Sequence, residues 1–433
     1  MGYRKYSRSG LSTARHERQS YGALPPPSKY NSLLVGRKIE LSRLQNSLNQ
    51  ARAGQRSVVF VTGEPGIGKT TLIDTFTRQV AAEEPLWIIG GQCIEHYGPG
   101  EAYLPILTAL DHLCHKPDRA LVIDQLREHA PTWLVQLTTA LNVAEREQLR
   151  RQLGHTGVQR MLREFDVFIA ALSQQRPVIL VLEDLQWSDH ATLDLLSFLA
   201  RQRKSDNLLM VGTYRPIDVL TNDHPIRAVH QELSGQGLCT EIALAGLTQS
   251  DIDAYLSQRF FQTPVPTSLA QELFRYTEGN PLFLVAMTDE LIAHKLINPK
   301  EEPTPTLLSP MFSAGTVPDR MRQVITKQMD RLRAEERQLL AVASVAGLEF
   351  TTAEIAAVVG VVCDIVEQYC ESLVQRQVLR PAGFCEWSDG TLTTRYGFHH
   401  AVYQYLWQER VSPRQRQQYQ QRLKATTQPQ NDE

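Results

Sequence analysis

Eight consecutive residues carry the most specific chemistry in this chain of 433 residues. Gly63-Glu64-Pro65-Gly66-Ile67-Gly68-Lys69-Thr70 follows the GxxxxGK[ST] pattern, in which each residue type has a task. Glycines let backbone N–H groups close around phosphate oxygens, and a helix starting there adds its free N–H groups and positive dipole end. Lys69 brings a compact positive charge to the β- and γ-phosphates, and the Thr70 hydroxyl completes the coordination of Mg²⁺. The flanks agree with this reading. Ser57-Val58-Val59-Phe60-Val61-Thr62 is an apolar, β-branched strand, and Thr71-Leu72-Ile73-Asp74-Thr75-Phe76 reads as the start of a helix. A chance Gly-rich turn between strand and helix would not need every position to match. The segment implies a site for a nucleoside triphosphate, with ATP or ADP and Mg²⁺ as ligands.

The apolar run Val178-Ile179-Leu180-Val181-Leu182 ends in Glu183-Asp184. Such an unbroken run is expected of a central strand buried on both faces. Two acids at its carboxyl end, beside a phosphate loop, suit metal-assisted phosphoryl transfer. One would hold Mg²⁺, directly or through its water, and the other would polarise an attacking water. Position assigns Glu183 to the metal and Asp184 to the water, whereas residue type favours the exchange. The competing reading makes them caps of the next helix. A further strand, Leu208-Leu209-Met210-Val211-Gly212-Thr213, delivers Tyr214-Arg215-Pro216 to the same edge. There Arg215 would read the γ-phosphate or, in the plainer alternative, pair with surface acids. The candidate catalytic residues are thus Lys69, Glu183, Asp184 and Arg215, and the candidate metal ligands Thr70, Glu183 and Asp184.

Elements that could position these residues alternate along the chain. Strands are expected at Val58–Thr62, Leu86–Gly90, Val178–Leu182, Leu208–Thr213 and Glu241–Leu244, separated by helical patterns. This alternation predicts an α/β P-loop NTPase fold with a parallel sheet over residues 31–247. A Leu- and Arg-rich helical region spans about 95–175. Thr248-Gln249-Ser250-Asp251 then reads as a helix cap, opening an α-helical lid over 248–300. A Pro/Thr-rich linker occupies 301–316. The unit at 317–425 reads as helical to about Val359, with hairpin strands at Gln377–Arg380 and Thr393–Gly397 around Ser388-Asp389-Gly390. That order suggests a winged helix. After Pro413 a Gln/Arg-rich stretch reads as a frayed helix, with a tail at 426–433. Residues 1–30 are polar and basic and read as a disordered leader.

Composition narrows the class of protein. A net charge of −2 with 21% charged residues gives no global basic excess for nucleic acid or a membrane surface. Six scattered cysteines without metal-like spacing suit reduced thiols in a cytoplasmic protein. No apolar run has the length of a membrane span.

With these residues in hand, the chain resembles the STAND class of P-loop NTPases within the AAA+ group, and is most similar to bacterial LuxR/MalT-type signalling ATPases. The likeness runs from Val35 to Leu423. Val35-Gly36-Arg37 with Glu40-Leu41 is similar to the entry motif that lies near the adenine. Gly91-Gln92-Cys93 and Gly100-Glu101-Ala102-Tyr103-Leu104-Pro105 look like a subfamily signature without an evident physical role. Leu182-Glu183-Asp184-Leu185-Gln186-Trp187 resembles the acidic strand motif, and Gly212-Thr213-Tyr214-Arg215 the sensor strand. Thr277-Glu278-Gly279-Asn280-Pro281 resembles the GxP motif, which implies that Pro281 packs on the nucleotide. Without the resemblance, Pro281 is an ordinary helix-starting proline. Tyr396-Gly397-Phe398-His399-His400-Ala401 resembles a winged-helix motif, which implies that His400 reaches the ADP β-phosphate. The implied nucleotide-binding set is Val35, Gly36, Arg37, Gly63, Glu64, Pro65, Gly66, Ile67, Gly68, Lys69, Thr70, Thr71, Pro281 and His400.

The resemblance implies a slow, regulatory ATP hydrolase in signal transduction or transcriptional regulation, cycling between ADP-closed and ATP-open states. It would act through a protein effector or sensor partner, with a nucleotide-dependent homo-oligomer as one form. Relatives usually carry an N-terminal effector and C-terminal helical repeats. This chain is therefore expected to be either a stripped switch core or part of a longer polypeptide. An initiator-like ATPase binding DNA through its winged helix is the alternative. Charge argues against it, because residues 315–433 hold 14 Lys/Arg and 14 Asp/Glu. A local patch through Arg410, Arg414, Arg416, Arg422 and Lys424 would be needed.

Overall fold

The computed structural model describes residues 34–95, 101–154, 157–202, 206–260, 267–293, 317–387 and 392–427. The expected leader, the linker, the hairpin turn Ser388-Asp389-Gly390 and the last six residues lie outside them.

Five strands, β1 (Ser57–Thr62), β2 (Trp87–Gln92), β3 (Val178–Glu183), β4 (Leu208–Tyr214) and β5 (Cys239–Ala243), form one parallel sheet in the order β2-β3-β4-β1-β5. This is the expected α/β P-loop NTPase core. Side chains alternate across its faces. Val58 and Phe60 of β1 and Val178, Leu180 and Leu182 of β3 join one apolar cluster. Val59, Val61, Ile179 and Val181 join the opposite one. Burial on both faces accounts for the continuous apolar runs. Because every strand is parallel, all carboxyl ends reach one edge, where ligands of open α/β sheets bind. β4 lies between β1 and β3, so Arg215 emerges between the phosphate loop and the acidic pair.

The helical region before β3 comprises helices between Leu104 and Ser173. Helices Gln249–Arg259, Thr267–Thr277 and Pro281–Ala293 follow the sheet, and Thr248 opens the first with a capping box to Asp251. The C-terminal unit combines helices with three antiparallel strands, β6 (Glu349–Thr351), β7 (Leu379–Glu386) and β8 (Leu392–Phe398), ordered β6-β8-β7. Lid and C-terminal unit are not separate bodies. Ile252, Leu273 and Phe283 of the lid share one apolar cluster with Met321, Leu340 and Leu406, and Val35 belongs to it too.

Several boundaries differ from expectation. The stretch to Val359 is not continuously helical: Gly347 (φ +152°) ends the helix Ala334–Ala346, and β6 then pairs with β8. A helix at Cys363–Gln375 was not expected. Gly360 (φ +82°) closes the helix before it, so the two lie end to end without a polar loop to mark the second. β2 starts one residue later than expected and continues to Gln92, and β7 and β8 are longer than the expected hairpin strands. The helix Pro413–Thr427 is packed rather than frayed. Tyr419 and Leu423 lie against the shared core, and Arg422 donates to the Val358 carbonyl at 3.2 Å.

Candidate nucleotide site at the sheet edge

The phosphate loop leaves β1 and enters the helix Lys69–Glu83, with left-handed or extended-positive backbone at Gly63, Gly66 and Gly68. Gly66 shows why side chains are excluded. At φ +78°, a Cβ there would meet Leu282 Cβ at 2.7 Å. Lys69 is 7% exposed and donates to the carbonyls of Gly63 (2.8 Å) and Glu64 (2.9 Å), which holds its ammonium over the loop. Burial, assisted by the Arg215 charge, lowers its pKa to about 8. Thr70 and Thr71 lie in the helix's first turn, the position from which a helix offers free N–H groups.

Thr70 Oγ1 hydrogen-bonds the Glu183 carboxylate. Burial of Glu183 raises its pKa to about 6. The hydroxyl and carboxylate are hard oxygen donors, a set that fits Mg²⁺. Asp184 faces another way. Its backbone is left-handed (φ +56°) and its N–H donates to Thr213 Oγ1 at 2.9 Å. A non-glycine residue held there is strained, a feature that clusters at functional sites. Its carboxylate lies 3.5 Å from Arg215 and accepts from Gln186 at 2.9 Å and Gln92 at 3.4 Å. Neither acid caps the following helix. That task falls to Asp189, which accepts from the Thr192 N–H at 2.9 Å.

Arg215 pairs with Asp184 and Asp218, both at 3.5 Å and both largely buried, rather than with surface acids. Its guanidinium stacks 4.9 Å over Trp187, and its buried Nε has no partner among the described residues. Gly91 and the segment before Pro105 acquire a structural account. A Cβ on Gly91 would sit 2.3 Å from the Pro105 carbonyl, Cys93 N–H donates to Glu183 O at 2.9 Å, and Tyr103 N–H donates to Asp189 at 3.0 Å. These contacts brace the end of β3.

Other parts of the chain converge on the loop. Arg37 donates to the carbonyls of Ile67 (3.2 Å) and Ala245 (2.7 Å), while Val35 is buried in the shared core and Gly36 (φ +68°) abuts Asp251. Asn280 donates to Pro65 O at 3.0 Å, and Leu282 N–H to Gly66 O at 3.2 Å. Pro281 begins its helix and its ring lies 3.9 Å from the Cβ position of Gly68. From the C-terminal unit, His399 lies 3.5 Å from Glu64. Burial opposes both charges, yet the pair prevails: Glu64 is held below the usual carboxylate range and His399 above the usual histidine range. His400, the residue singled out from sequence, is 3% exposed beside it, and burial lowers its pKa to about 4. A cavity of about 490 Å³, lined by Gly63, Glu64, Arg215, Asn280, His399 and His400 among others, opens here. It falls within the size of small-molecule sites.

Sequence reasoning missed His399, Asn280, Asp218 and Arg331. Adjacency to a chosen residue was the only available signal for the first two, and the i, i+3 spacing from Arg215 for the third. Arg331 had none. It reaches from the C-terminal unit to Asp218 (3.1 Å) and Glu95 (2.6 Å).

No described helix is long and apolar enough to cross a membrane. An uncharacterized protein of Rhizobium meliloti (strain 1021) is 23% identical over 418 residues, which is 90% of this chain and 36% of the relative. The chain therefore spans about a third of that relative's length. A Walker-type ATPase of Pyrococcus abyssi superposes with a TM-score of 0.50 at 14% identity, covering 88% of this chain and 98% of that one. The Signal Transduction ATPase with Numerous Domains (STAND) protein with a tetratricopeptide repeat sensor from Pyrococcus horikoshii aligns at TM-score 0.35 and 16% identity, covering 93% and 48% respectively. Residues 33–211 match the family described as AAA ATPase domain. The phosphate loop after β1 and the acidic pair at the carboxyl end of β3 both lie inside the span that matches the AAA ATPase domain.

Proposed function

We propose that the chain is an ATP-binding, slowly hydrolysing regulatory switch whose C-terminal unit is a winged helix that reads the nucleotide. One observation carries this reading: three separate parts of the chain hold the phosphate loop at once. Arg37 bonds it at Ile67, Asn280 and Leu282 bond it at Pro65 and Gly66, and His399 faces Glu64. A loop that only anchors phosphate needs no such contacts. One that reports its occupancy does, because nucleotide then biases how neighbouring units dock.

In this reading Lys69 exchanges its carbonyl partners for β- and γ-phosphate oxygens. Thr70 and Glu183 are the Mg²⁺ ligands, and the bound ion would neutralise phosphate charge. Asp184 polarises the attacking water and Arg215 reads the γ-phosphate, releasing Asp184 as it turns. Val35, Gly36 and Arg37 flank the base, Pro281 packs on the nucleotide, and His400 with His399 monitors the phosphates from the C-terminal unit. Input and output would pass through a protein effector in the cytoplasm or through nucleotide-dependent self-association.

The test is the nucleotide released on denaturing freshly purified protein, measured with steady-state ATP turnover. The expected result is near-stoichiometric ADP with turnover well below one per second, against about ten for ordinary enzymes. An empty protein with rapid turnover overturns the switch. Lys69→Ala is expected to abolish nucleotide binding, and unchanged ATP affinity would remove the site assignment.

The alternative, a DNA-binding initiator-like ATPase, draws on the exposed Arg414 and Arg416 of the terminal helix. Arg410, however, pairs with Asp330 at 3.0 Å and Arg422 bonds Val358 O, so the basic stretch is partly engaged internally. Duplex DNA retention by the whole chain at low salt, falling steeply as salt rises, would favour this reading.

A further inference from the structure

His400 holds an unsatisfied nitrogen at a place where such an atom is expensive. Its ring is fixed edge-on to Phe283 (5.4 Å) and stacked on Tyr403 (5.7 Å), and its buried Nδ1 has no hydrogen-bond partner among the described residues. Leaving a buried polar atom unpaired costs about 1–3 kcal/mol, so a partner for it is worth seeking. Side chains able to bind a metal lie beside it. One ring nitrogen each of His400 and His399 and a carboxylate oxygen of Glu64 all lie within 4.8 Å of one another. Glu278 Oε2, from the turn before Pro281, is 3.8 Å from His400 Nδ1 and 3.9 Å from His399 Nε2. Glu278 is held with left-handed backbone (φ +46°), which a non-glycine residue adopts at a cost.

We propose that Glu64, His399 and His400 form a site for a divalent transition-metal ion of the zinc type, with Glu278 placed to supply a fourth ligand. Two imidazole nitrogens and carboxylate oxygens suit zinc, whereas magnesium takes oxygen ligands only. Zinc–ligand bonds of about 2.0–2.1 Å place tetrahedral neighbours about 3.3 Å apart. Glu64 Oε1 and His399 Nε2, at 3.5 Å, already meet that spacing. The others need movements of about an ångström, within reach of side-chain rotation at the partly exposed Glu64 and Glu278. The ion would tie the phosphate loop to the C-terminal unit, and through Glu278 to the lid. It would therefore set how readily the closed arrangement opens. The site is distinct from that of Thr70 and Glu183, which offers no nitrogen. It shares Glu64, His399 and His400 with the proposed nucleotide cavity, so the ion and the phosphates would compete for the two histidines.

The metal-stripped chain titrated with Co²⁺ and Zn²⁺ alone, without nucleotide, tests this. One Co²⁺ per chain is expected, with visible d–d bands of low-symmetry coordination and no thiolate charge-transfer band. One equivalent of Zn²⁺ should displace it. Thermal unfolding should shift upward with Zn²⁺, as for any ligand bound only by the folded state. Glu64→Gln, nearly isosteric at a partly exposed position, should weaken Co²⁺ affinity at least tenfold while leaving the far-ultraviolet circular dichroism unchanged. His399→Ala should abolish the bands. Lys69→Ala should leave Co²⁺ binding intact, which separates this site from the nucleotide reading: if that reading fails, the metal site can still stand. No stoichiometric binding by the unaltered chain overturns the proposal. So does a spectrum carrying thiolate bands, or binding unchanged in Glu64→Gln and His399→Ala.

Discussion

Arg331 of the C-terminal unit lies 3.1 Å from Asp218, the same carboxylate group that lies 3.5 Å from Arg215. One half-buried acid thus connects Arg215, beside the phosphate loop, to a unit more than a hundred residues away. Trp187 lies under both guanidinium groups, at 4.9 Å from Arg215 and 6.0 Å from Arg331. Any movement of Arg215 toward a phosphate changes the charge that Arg331 meets. For Arg331→Ala, the expected result is faster release of bound ADP, about fivefold, with a small stability loss of about 1 kcal/mol because the pair is partly solvated. Stopped-flow release of a fluorescent ADP analogue measures it. An unchanged rate removes the coupling.

Glu183 and Asp184 face different partners, so their isosteric variants should part company. Glu183→Gln removes the charge beside Thr70 and is expected to weaken the Mg²⁺ dependence of nucleotide binding. Asp184→Asn should keep binding and lower turnover by about 10²–10⁴, the range of a lost general base. Titrations with and without Mg²⁺, followed by single-turnover hydrolysis, tell them apart. Identical effects in both variants would return the two roles to an open exchange.

Gly66→Ala combines a disfavoured backbone with a 2.7 Å contact to Leu282 Cβ. Loss of about 1–3 kcal/mol is expected from the conformation alone. The same change pushes the lid off the loop and should weaken nucleotide retention. Chemical denaturation and retained-nucleotide analysis give the two numbers, and wild-type values for both would contradict the packing described here.

At the far end of the sheet, Arg56 is buried against Asp166 (2.7 Å) and Asp206. Burial opposes its charge, yet the two carboxylates raise its pKa. Asp206→Ala leaves part of that charge uncompensated, with an expected cost of about 3–5 kcal/mol. Nucleotide affinity of the folded fraction should not change, since the triad sits away from the carboxyl ends of the strands. Equilibrium denaturation beside calorimetric titration checks both halves.

The phosphate loop, the buried strands and the acidic pair were legible because each is a local pattern. Alternating or continuous apolar runs report burial, and glycine and lysine spacing reports a phosphate cradle. Strand–helix alternation also implied the parallel sheet, and with it a shared edge for Lys69, Glu183, Asp184 and Arg215. Only the tertiary structure decided which side chains meet across long separations. That His399 faces Glu64, that Asn280 and Leu282 bond the loop, and that Asp218 joins Arg331 to Arg215 depend on how the lid and C-terminal unit dock. Their docking rests on one shared apolar core, and apolar contact is non-directional, so periodicity in the chain specifies a buried face without naming its partner.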